Sequence, residues 1–225
     1  MEFDFAKVNW HFNALPASTK KALDFFAKQE WLKKSGWYLA GGTALALLAG
    51  NRKSLDLDFF LPKKDFDANK LLLKLFGEKN WKLSIQEKNT IHGSLYNVKV
   101  SFIVNPFFVP KNKFIKYENV NVLSPLDVAV TKVVTISQRG MKKDFYDLYW
   151  CANNLESLEK IIQKVKRQYP KTITDYHHIL KALVYFDDAE NDPDPTIYFD
   201  ASWKQVKKFF VQEVPLVARK LMQLK

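Results

Sequence analysis

The chain has 225 residues, of which 47% are hydrophobic, and its 18 Phe, 6 Trp and 9 Tyr are enough for a substantial core. It contains only 7 Gly and 9 Pro, a composition that excludes a largely disordered chain. The net charge of +11 has two interpretations, a polyanionic partner or an ordinary lysine-rich surface.

Three further features of the sequence indicate the cellular compartment of the protein. No apolar run approaches the roughly 20 residues that a membrane helix requires. The first ten residues carry acids where a signal peptide carries bases. Cys151 is the single cysteine, which excludes an intramolecular disulfide and is typical of a reducing compartment. We therefore expect a cytoplasmic protein without a membrane anchor.

The first half of the chain predicts a small mixed β-sheet with flanking helices. Apolar residues at helical spacing predict a helix over 15–34, with Ser18 as a candidate cap. Alternation and turn residues then predict strands at 37–40, 55–61, 81–88, 90–96, 98–107 and 114–123. Helices are predicted between them at 43–50, closed by Gly50, and at 67–79.

From Ser124 onward the pattern is helical. Ser124 as a cap, Pro125 at the first helical position and an acid two residues later form a strong start signal. Further along, helices are predicted at about 125–138, 143–152, 155–168, 172–187 and 202–222, with an acidic, proline-containing loop at 187–195. The sequence thus predicts an α+β fold with an α/β core over 1–123 and a helical region over 124–225.

Two aspartates interrupt the predicted strand at 55–61. Asp56 and Asp58 occupy alternate positions, so their side chains leave the same face, with Cα atoms roughly 6.5–7 Å apart. Asp is a poor strand former, and two neighbouring carboxylates repel each other unless a cation lies between them. Oxygen ligands favour Mg²⁺ or Mn²⁺. The alternative is a solvent-facing edge strand whose acids pair with lysines.

A Gly-Gly-Thr sequence precedes this acid pair. A strand that ends at Gly41 and Gly42 and leads into a helix is typical of an anion site, because glycine lets backbone N–H groups approach phosphate and the helix dipole favours it. Thr43 adds a hydroxyl at the helix start. A plain tight turn has the same appearance, but the combination with a nearby acid pair favours a nucleoside triphosphate bound with a metal ion.

The segment LAGGTALALLAGNRKSLDLDFF resembles the signature of the AbiEii-type toxin family within the nucleotidyltransferase superfamily. That signature is Gly-Gly-[Ser/Thr], a short helix and Arg-x-Ser-x-Asp-x-Asp, matched here by Gly41, Gly42, Thr43, Arg52, Ser54, Asp56 and Asp58. A later family block, an internal Lys followed by Arg-x-x-Lys-Asp-x-x-Asp-Leu, is matched with one extra residue by Lys132, Arg139, Lys143, Asp144, Asp147 and Leu148. The resemblance covers about residues 15–150.

The resemblance implies a metal-dependent nucleotidyltransferase, in which a hydroxyl attacks the α-phosphate of an NTP and releases pyrophosphate. Asp56 and Asp58 would hold the metal ions, and the Gly41–Thr43 segment would cradle the phosphates. Arg52 and Ser54 would contact phosphate or orient the acids, and the alternative for Arg52 is a plain ion-pair partner of a nearby acid.

The later block supplies two more implied site residues. Lys132 would grip the triphosphate, the alternative being a surface lysine that packs along its own stem. Asp144 would orient Lys132 or act as the base, a role that Asp147 could share; the alternative is a first-turn acid interacting with the helix dipole.

One position departs from the family pattern. Nucleotidyltransferases commonly place a third acid on a neighbouring strand, and the matching residue here is Ser101, which is a weak metal ligand and no base. His92 and Glu87 lie on the preceding hairpin, with no geometric reason in the sequence to assign either a role.

The resemblance implies an RNA acceptor, with a tRNA 3′ end as the candidate, and a cognate antitoxin in a toxin–antitoxin or abortive-infection system. The alternatives are a catalytically weakened nucleotide- or RNA-binding module and a small-molecule nucleotidyltransferase.

Overall fold

The computed structural model describes residues 8–172 and 174–221, and these form one mixed β-sheet with helices on both faces. The seven strands are β1 Tyr38–Ala40, β2 Leu57–Leu61, β3 Trp81–Glu87, β4 Thr90–Leu95, β5 Val98–Val104, β6 Ile115–Tyr117 and β7 Val120–Val122. Their order across the sheet is β3-β4-β5-β2-β1-β7-β6. Strand β2 is antiparallel to β1 and parallel to β5, and β1 is parallel to β7.

A helix overlaps each of the eight predicted helical segments, and the described residues contain two more, ten in all. They are α1 Ala17–Ala27, α2 Glu30–Lys33, α3 Gly41–Ala49, α4 Ala68–Leu75, α5 Pro125–Arg139, α6 Lys142–Asn154, α7 Leu158–Gln168, α8 Tyr176–Ala182, α9 Asp187–Glu190 and α10 Trp203–Leu221, with a 3₁₀ turn at Phe12–Ala14. None of the described helices combines the length and apolar character required to cross a bilayer.

Strand β2 is the central strand of the sheet, which excludes the edge-strand alternative for the acid pair. Its burial alternates, with Leu57, Phe59 and Leu61 buried and the two residues between them half-buried. Phe59 stacks on Phe102 of β5 with ring centroids 5.1 Å apart, and Phe26 of α1 packs on both rings. One face of β2 therefore belongs to the core under α1, and the opposite face carries Asp58.

The predicted helix over 15–34 is wrong in one respect, because it is interrupted at Gln29, which is extended with φ −82° and ψ 104°. Helix α1 starts at Ala17, with Pro16 rather than Ser18 at its cap position. The core-facing stripe of α1 ends with Phe26 and Ala27. A continuous helix would turn Glu30 and Lys33 toward the core, at i+4 and i+7 from Phe26, whereas the break lets α2 bury Leu32.

Two other segments differ from the prediction. The predicted strand over 114–123 is a hairpin, since Glu118 adopts a positive φ of 49° between β6 and β7. The predicted helix over 172–187 is shorter, because the Asp175 side chain caps α8 by accepting a hydrogen bond from the backbone N–H of His178. The acidic segment predicted as a loop begins with the single helical turn α9, which buries Ala189.

The predicted start of the helical half is confirmed. Ser124 caps α5 by accepting from the backbone N–H of Asp127 at 3.1 Å, and Pro125 is the first helical residue. Helix α5 contacts α3, α6, α7 and α8, so it is the central helix of this half. The division of the chain at residue 123 into two domains stays a prediction.

Candidate active site

A cleft of about 1080 Å³ lies over the face of the sheet opposite α1. Its floor is formed by β1, β2, β5 and β4, and its walls by the start of α3, by α5 and α6, and by the segment 193–196. All nine residues predicted to form the site line this cleft or lie directly beside it: Gly41, Gly42, Thr43, Arg52, Ser54, Asp56, Asp58, Lys132 and Asp144. The fold thus brings together two sequence blocks that are far apart in the chain.

The acid pair lies on the floor of the cleft. Asp58 is the second residue of β2 and pairs in register with Ala40 of β1, while Asp56 directly precedes the strand. Both side chains are half-buried, and within 8–172 and 174–221 neither forms an ion pair with a lysine or arginine. Two carboxylates thus face the cleft without a protein cation between them.

The turn from β1 into α3 brings backbone N–H groups beside these acids. Gly41 has a φ of +67°, a left-handed conformation that glycine adopts without strain, and a Cβ at Gly41 would lie 3.5 Å from Asp58 Oδ2. No side chain of the described residues caps α3. The first N–H groups of this nine-residue helix are therefore available to an anion in the cleft.

Thr43 and Ser54 join this turn to the segment before β2. The Thr43 hydroxyl donates to the backbone carbonyl of Asp56 and lies 2.8 Å from the Ser54 hydroxyl. The backbone N–H of Ser54 donates to the carbonyl of Ala14. These contacts fix the position of the acid pair, and direct phosphate contacts by the two hydroxyls stay predictions.

Arg52 is buried and forms a bidentate ion pair with Asp147 of α6. Its Nε lies 2.8 Å from Asp147 Oδ1 and its Nη2 2.8 Å from Oδ2, while Nη1 donates to the carbonyl of Lys53. Asn51 donates a further hydrogen bond to Asp147 Oδ1 at 2.8 Å. The sequence singled out Arg52 and Asp147 but gave no signal for Asn51, whose role depends on a contact across the fold.

Lys132 of α5 extends this network toward the cleft. Its ammonium lies 2.6 Å from Asp144 Oδ1 and 2.7 Å from Asp147 Oδ2, and the residue is only 5% exposed, so the surface-lysine alternative is wrong. The other oxygen of Asp144, Oδ2, is buried without a hydrogen bond from any described residue, although Arg139 Nε lies 3.5 Å away. Asp144 thus holds Lys132 with one oxygen, while the other has only the longer ion pair with Arg139.

The charges of the network reinforce one another. Burial alone would raise the pKa of the Asp147 carboxyl, but the positive charges of Arg52 and Lys132 outweigh burial and lower that pKa well below its ordinary value. Burial likewise would lower the pKa of Lys132, yet the charges of Asp144 and Asp147 raise it. Burial also opposes the charge on Arg52, and Asp147 again raises the pKa. All three groups are therefore ionised at neutral pH.

The two strands beyond β2 add residues to the same face of the sheet. Ser101 of β5 pairs in register with Asp58 of β2 and, on its other side, with His92 of β4. Directly opposed residues of paired strands share a face, so Asp58, Ser101 and His92 form one row across the cleft floor. Both Ser101 and His92 line the cleft.

A C-terminal segment completes the cleft wall. Ile197 forms a β-bridge with Arg52, the backbone N–H of Lys53 donates to the carbonyl of Thr196, and that of Tyr198 donates to the carbonyl of Asn51. Just before it, Lys142 holds the acidic loop by donating to the carbonyl of Asp192 at 2.6 Å. No sequence pattern predicts this bridge, because a pairing of so few residues is too short to produce one.

The acid pair fits a divalent cation of the magnesium type. The described residues contain no group of three or more His, Cys, Asp or Glu side chains arranged to bind a metal, so the pair is a two-carboxylate set. Mg²⁺ is commonly bound by one or two carboxylates, with water and substrate phosphates at its other positions. The open floor beside Asp58 and the free N–H groups of α3 match that requirement.

The family model described as nucleotidyl transferase AbiEii toxin, type IV TA system, matches residues 32–223 of the chain. An uncharacterized protein of Aquifex aeolicus (strain VF5), aq_aa25, is 34% identical over 186 residues, covering 79% of this chain and 86% of that protein.

Solved structures with the same fold include two from Helicobacter pylori. A putative nucleotidyltransferase has a TM-score of 0.54 at 17% identity and covers 93% of this chain and 99% of its own. The structure of JHP933 has a TM-score of 0.52 at 17% identity, and the match covers 93% of this chain and 95% of JHP933. At this identity the likeness concerns the fold, and it confirms the predicted α+β, nucleotidyltransferase-like architecture.

Proposed function

The chain belongs to the AbiEii nucleotidyl transferase toxin family, as its two motif blocks predicted, and from this we propose that it transfers a nucleoside monophosphate from an NTP to a hydroxyl of RNA. The family description gives the general activity, nucleotidyl transfer by a toxin of a toxin–antitoxin pair. The metal ion, the RNA acceptor and the roles of individual residues are the parts proposed here.

The observation that carries the proposal is the juxtaposition of two opposite kinds of group in one cleft. The unpaired carboxylates of Asp56 and Asp58 lie beside the uncapped start of α3, and the Arg52–Lys132 cations lie on the adjacent wall. The carboxylates by themselves would repel a triphosphate. The cations attract the triphosphate but leave the two carboxylates without a counter-charge. A bound metal ion with a triphosphate neutralises both sets.

Asp56 and Asp58 would hold a Mg²⁺ or Mn²⁺ ion, which when bound supplies charge stabilisation to the attacking and leaving oxygens. The backbone N–H groups of Gly42 and Thr43 would hold the β- and γ-phosphates at the start of α3. Ser54 positions the acids through its hydrogen bond to Thr43. Each role uses a group that the cleft already presents.

Lys132 and Arg52 would bind phosphate with the donors that the ion pairs leave free. An ammonium has three N–H donors, and Lys132 uses two of them on Asp144 and Asp147. The guanidinium of Arg52 has five, of which two donate to Asp147 and one to Lys53. The acids therefore hold both cations in place without consuming their capacity to donate.

An RNA acceptor is supported by charge and by the size of the cleft. The chain carries a net charge of +11, and neutralisation of backbone phosphates by Lys and Arg dominates RNA affinity. Lys53, Lys99 and Lys143 line the cleft outside the ionic network. A tRNA 3′ end, a single strand with free hydroxyls, matches a cleft of this form, and the family membership implies a cognate antitoxin as protein partner.

The decisive experiment is transfer of label. Purified protein is incubated with Mg²⁺, each α-labelled NTP in turn and total RNA, alongside Asp58→Ala and the matched control Asp65→Ala, which changes an exposed acid outside the cleft. We expect label in tRNA with wild type and Asp65→Ala, and a loss of about 10³-fold with Asp58→Ala or EDTA, since a metal supplies several kcal/mol to the transition state.

Two other results would contradict the proposal. NTP binding without transfer would favour a module that binds nucleotide or RNA, for which Ser101 in place of a third acid is the supporting feature. Transfer only to a small hydroxyl or amine compound would favour a small-molecule nucleotidyltransferase.

A further inference from the structure

We propose that His92 of β4 is the general base that accepts the proton of the attacking hydroxyl. The inference rests on the proposed nucleotidyl transfer and assigns a catalytic residue that neither motif block contains. It follows from the position of His92 in the sheet and from an unpaired atom of its ring.

The position of His92 is fixed by the strand register. His92 is the direct cross-strand neighbour of Ser101, which is the direct neighbour of Asp58. Adjacent strands lie about 4.8 Å apart, so His92 and Asp58 flank Ser101 at a separation of roughly 10 Å between Cα atoms. An acceptor hydroxyl that lies over the small side chain of Ser101 would have Asp58 on one side and the imidazole on the other.

Ser101 leaves the strand position beside Asp58 without a carboxylate. Ser101 is buried, 1% exposed, and a serine hydroxyl cannot remove a proton at neutral pH. Asp144 holds Lys132 with Oδ1, and its buried Oδ2, with Arg139 Nε 3.5 Å away, lies on the helical wall and not on the floor. His92 is the proton acceptor on the floor that borders the position opposite Asp58.

The ring of His92 has an unsatisfied nitrogen. Its Nδ1 is buried and has no hydrogen-bond partner among residues 8–172 and 174–221, so the nitrogen that accepts the proton from the cleft is the other one, Nε2. A buried polar atom is costly to leave unpaired, so native structures rarely keep one without a reason. Gly93 next to it is packed against Trp81 and the carbonyl of Lys82, which fixes the strand that carries the imidazole.

The charged groups around His92 come from each neighbouring element. On the same face, Glu87 and Lys82 belong to β3, Lys99 to β5 and Asp58 to β2. Across the cleft stand Lys132, Arg139, Lys143, Asp144, Asp175 and His178. Arg52, Lys53, Asp56 and Asp194 line the same cleft.

The chemical step balances without another reactant. The acceptor O–H bond breaks, its proton passes to the imidazole, and the oxygen forms a bond to the α-phosphorus of the NTP. The bond from that phosphorus to the bridging oxygen breaks, and pyrophosphate leaves with the electron pair. The imidazolium then returns its proton to water.

The test measures single-turnover transfer from an α-labelled NTP to total tRNA as a function of pH. Three variants are compared: His92→Gln, His92→Ala and the control His177→Gln, which changes an exposed histidine of α8 outside the cleft. NTP affinity and the thermal midpoint are measured on the same samples.

We expect His92→Gln to lower the transfer rate by roughly 10²-fold, the low end of what a general base contributes, with NTP affinity changed less than twofold. The wild-type rate should fall toward acidic pH, as expected of a reaction that requires an unprotonated base, and the variant should lose this dependence. Free imidazole should restore part of the rate of His92→Ala, and His177→Gln should behave as wild type.

The inference is overturned if wild type transfers label and the transfer rate of His92→Gln is within threefold of the wild-type rate. It is overturned as well if the rate of His92→Gln still falls toward acidic pH. It is also overturned if the loss follows NTP affinity or the thermal midpoint and imidazole restores nothing, because His92 then serves binding or folding. A wild type that transfers no label would overturn the proposed function, and the role of His92 with it.

Discussion

The Cβ position of Gly42 lies 2.2 Å from Nη2 of Arg52 and 3.2 Å from its Cζ. The guanidinium is packed directly on the α3 backbone, where only a glycine leaves room. Because Asp147 holds that guanidinium by two hydrogen bonds, it cannot move aside freely.

Gly42→Ala should therefore displace Arg52 from Asp147. We expect it to destabilise the fold by about 1–3 kcal/mol, the usual range for overpacking, and to lower nucleotide binding as well. Urea unfolding and NTP titration measure both. Gly77→Ala is the matched control, since nothing lies within 4 Å of its Cβ position. Equal stability of the two variants would mean that Arg52 is free to move.

Asp147→Asn should be strongly destabilising at neutral pH, by about 3–5 kcal/mol, because it leaves Arg52 and Lys132 buried with one fewer counter-charge. The native pKa of Asp147 lies below that of the unfolded chain, so its contribution is complete at neutral pH and is lost as the pH falls below about 4.

The free energy of unfolding of wild type and variant should accordingly converge in acid. Urea unfolding between neutral pH and the acid limit of the native state measures this. Glu159→Gln, which removes a partly exposed pair with Lys220, should cost no more than about 1 kcal/mol. A difference between wild type and Asp147→Asn that does not vary with pH would contradict the ionised assignment.

Lys132 and Asp144 should be coupled in stability. Lys132→Met leaves two buried carboxylates without their shared cation, and Asp144→Asn removes one of those carboxylates. The double variant should therefore cost less than the sum of the single ones, by about 0.5–3 kcal/mol. The same double-mutant comparison on the surface pair Lys220 and Glu159 is the reference. A similar coupling energy in both pairs would mean that burial does not strengthen the interaction between Lys132 and Asp144.

Cys151 should be unreactive in the native protein. Burial raises the pKa of its thiol well above the ordinary value, and the negative charge of Asp147 raises it further. Because the thiolate is the reactive form, Ellman's reagent should modify Cys151 only after unfolding. Rapid labelling without denaturant, at the rate of the unfolded chain, would show that α6 opens readily.

Sequence patterns predicted the sheet, the start of α5 and the acid pair, because each depends on neighbouring residues. Ser124 and Pro125 mark a helix start whatever packs on it, and the alternation around Asp58 is visible in five residues. The interruption at Gln29 was missed, since it depends on which side of α1 meets the sheet.

The parts of the site that sequence could not supply are contacts across the fold. That Asp147 binds Arg52 and Asn51 requires α6 to pack beside the segment before β2. The row from Asp58 through Ser101 to His92 requires the register of three strands. Neither contact can be predicted from the spacing of these residues along the chain.

The β-bridge between Arg52 and Ile197 has a consequence for synthesis of the protein. The segment that carries Arg52 is translated before most of the sheet and the helical half, whereas its partner Ile197 follows both. If the bridge is needed for the proposed transfer, a nascent chain should therefore be inactive until the segment around Ile197 has left the ribosome. Ribosome-arrested chains that stop before Thr196 should transfer no label, and those that expose residues through α10 should.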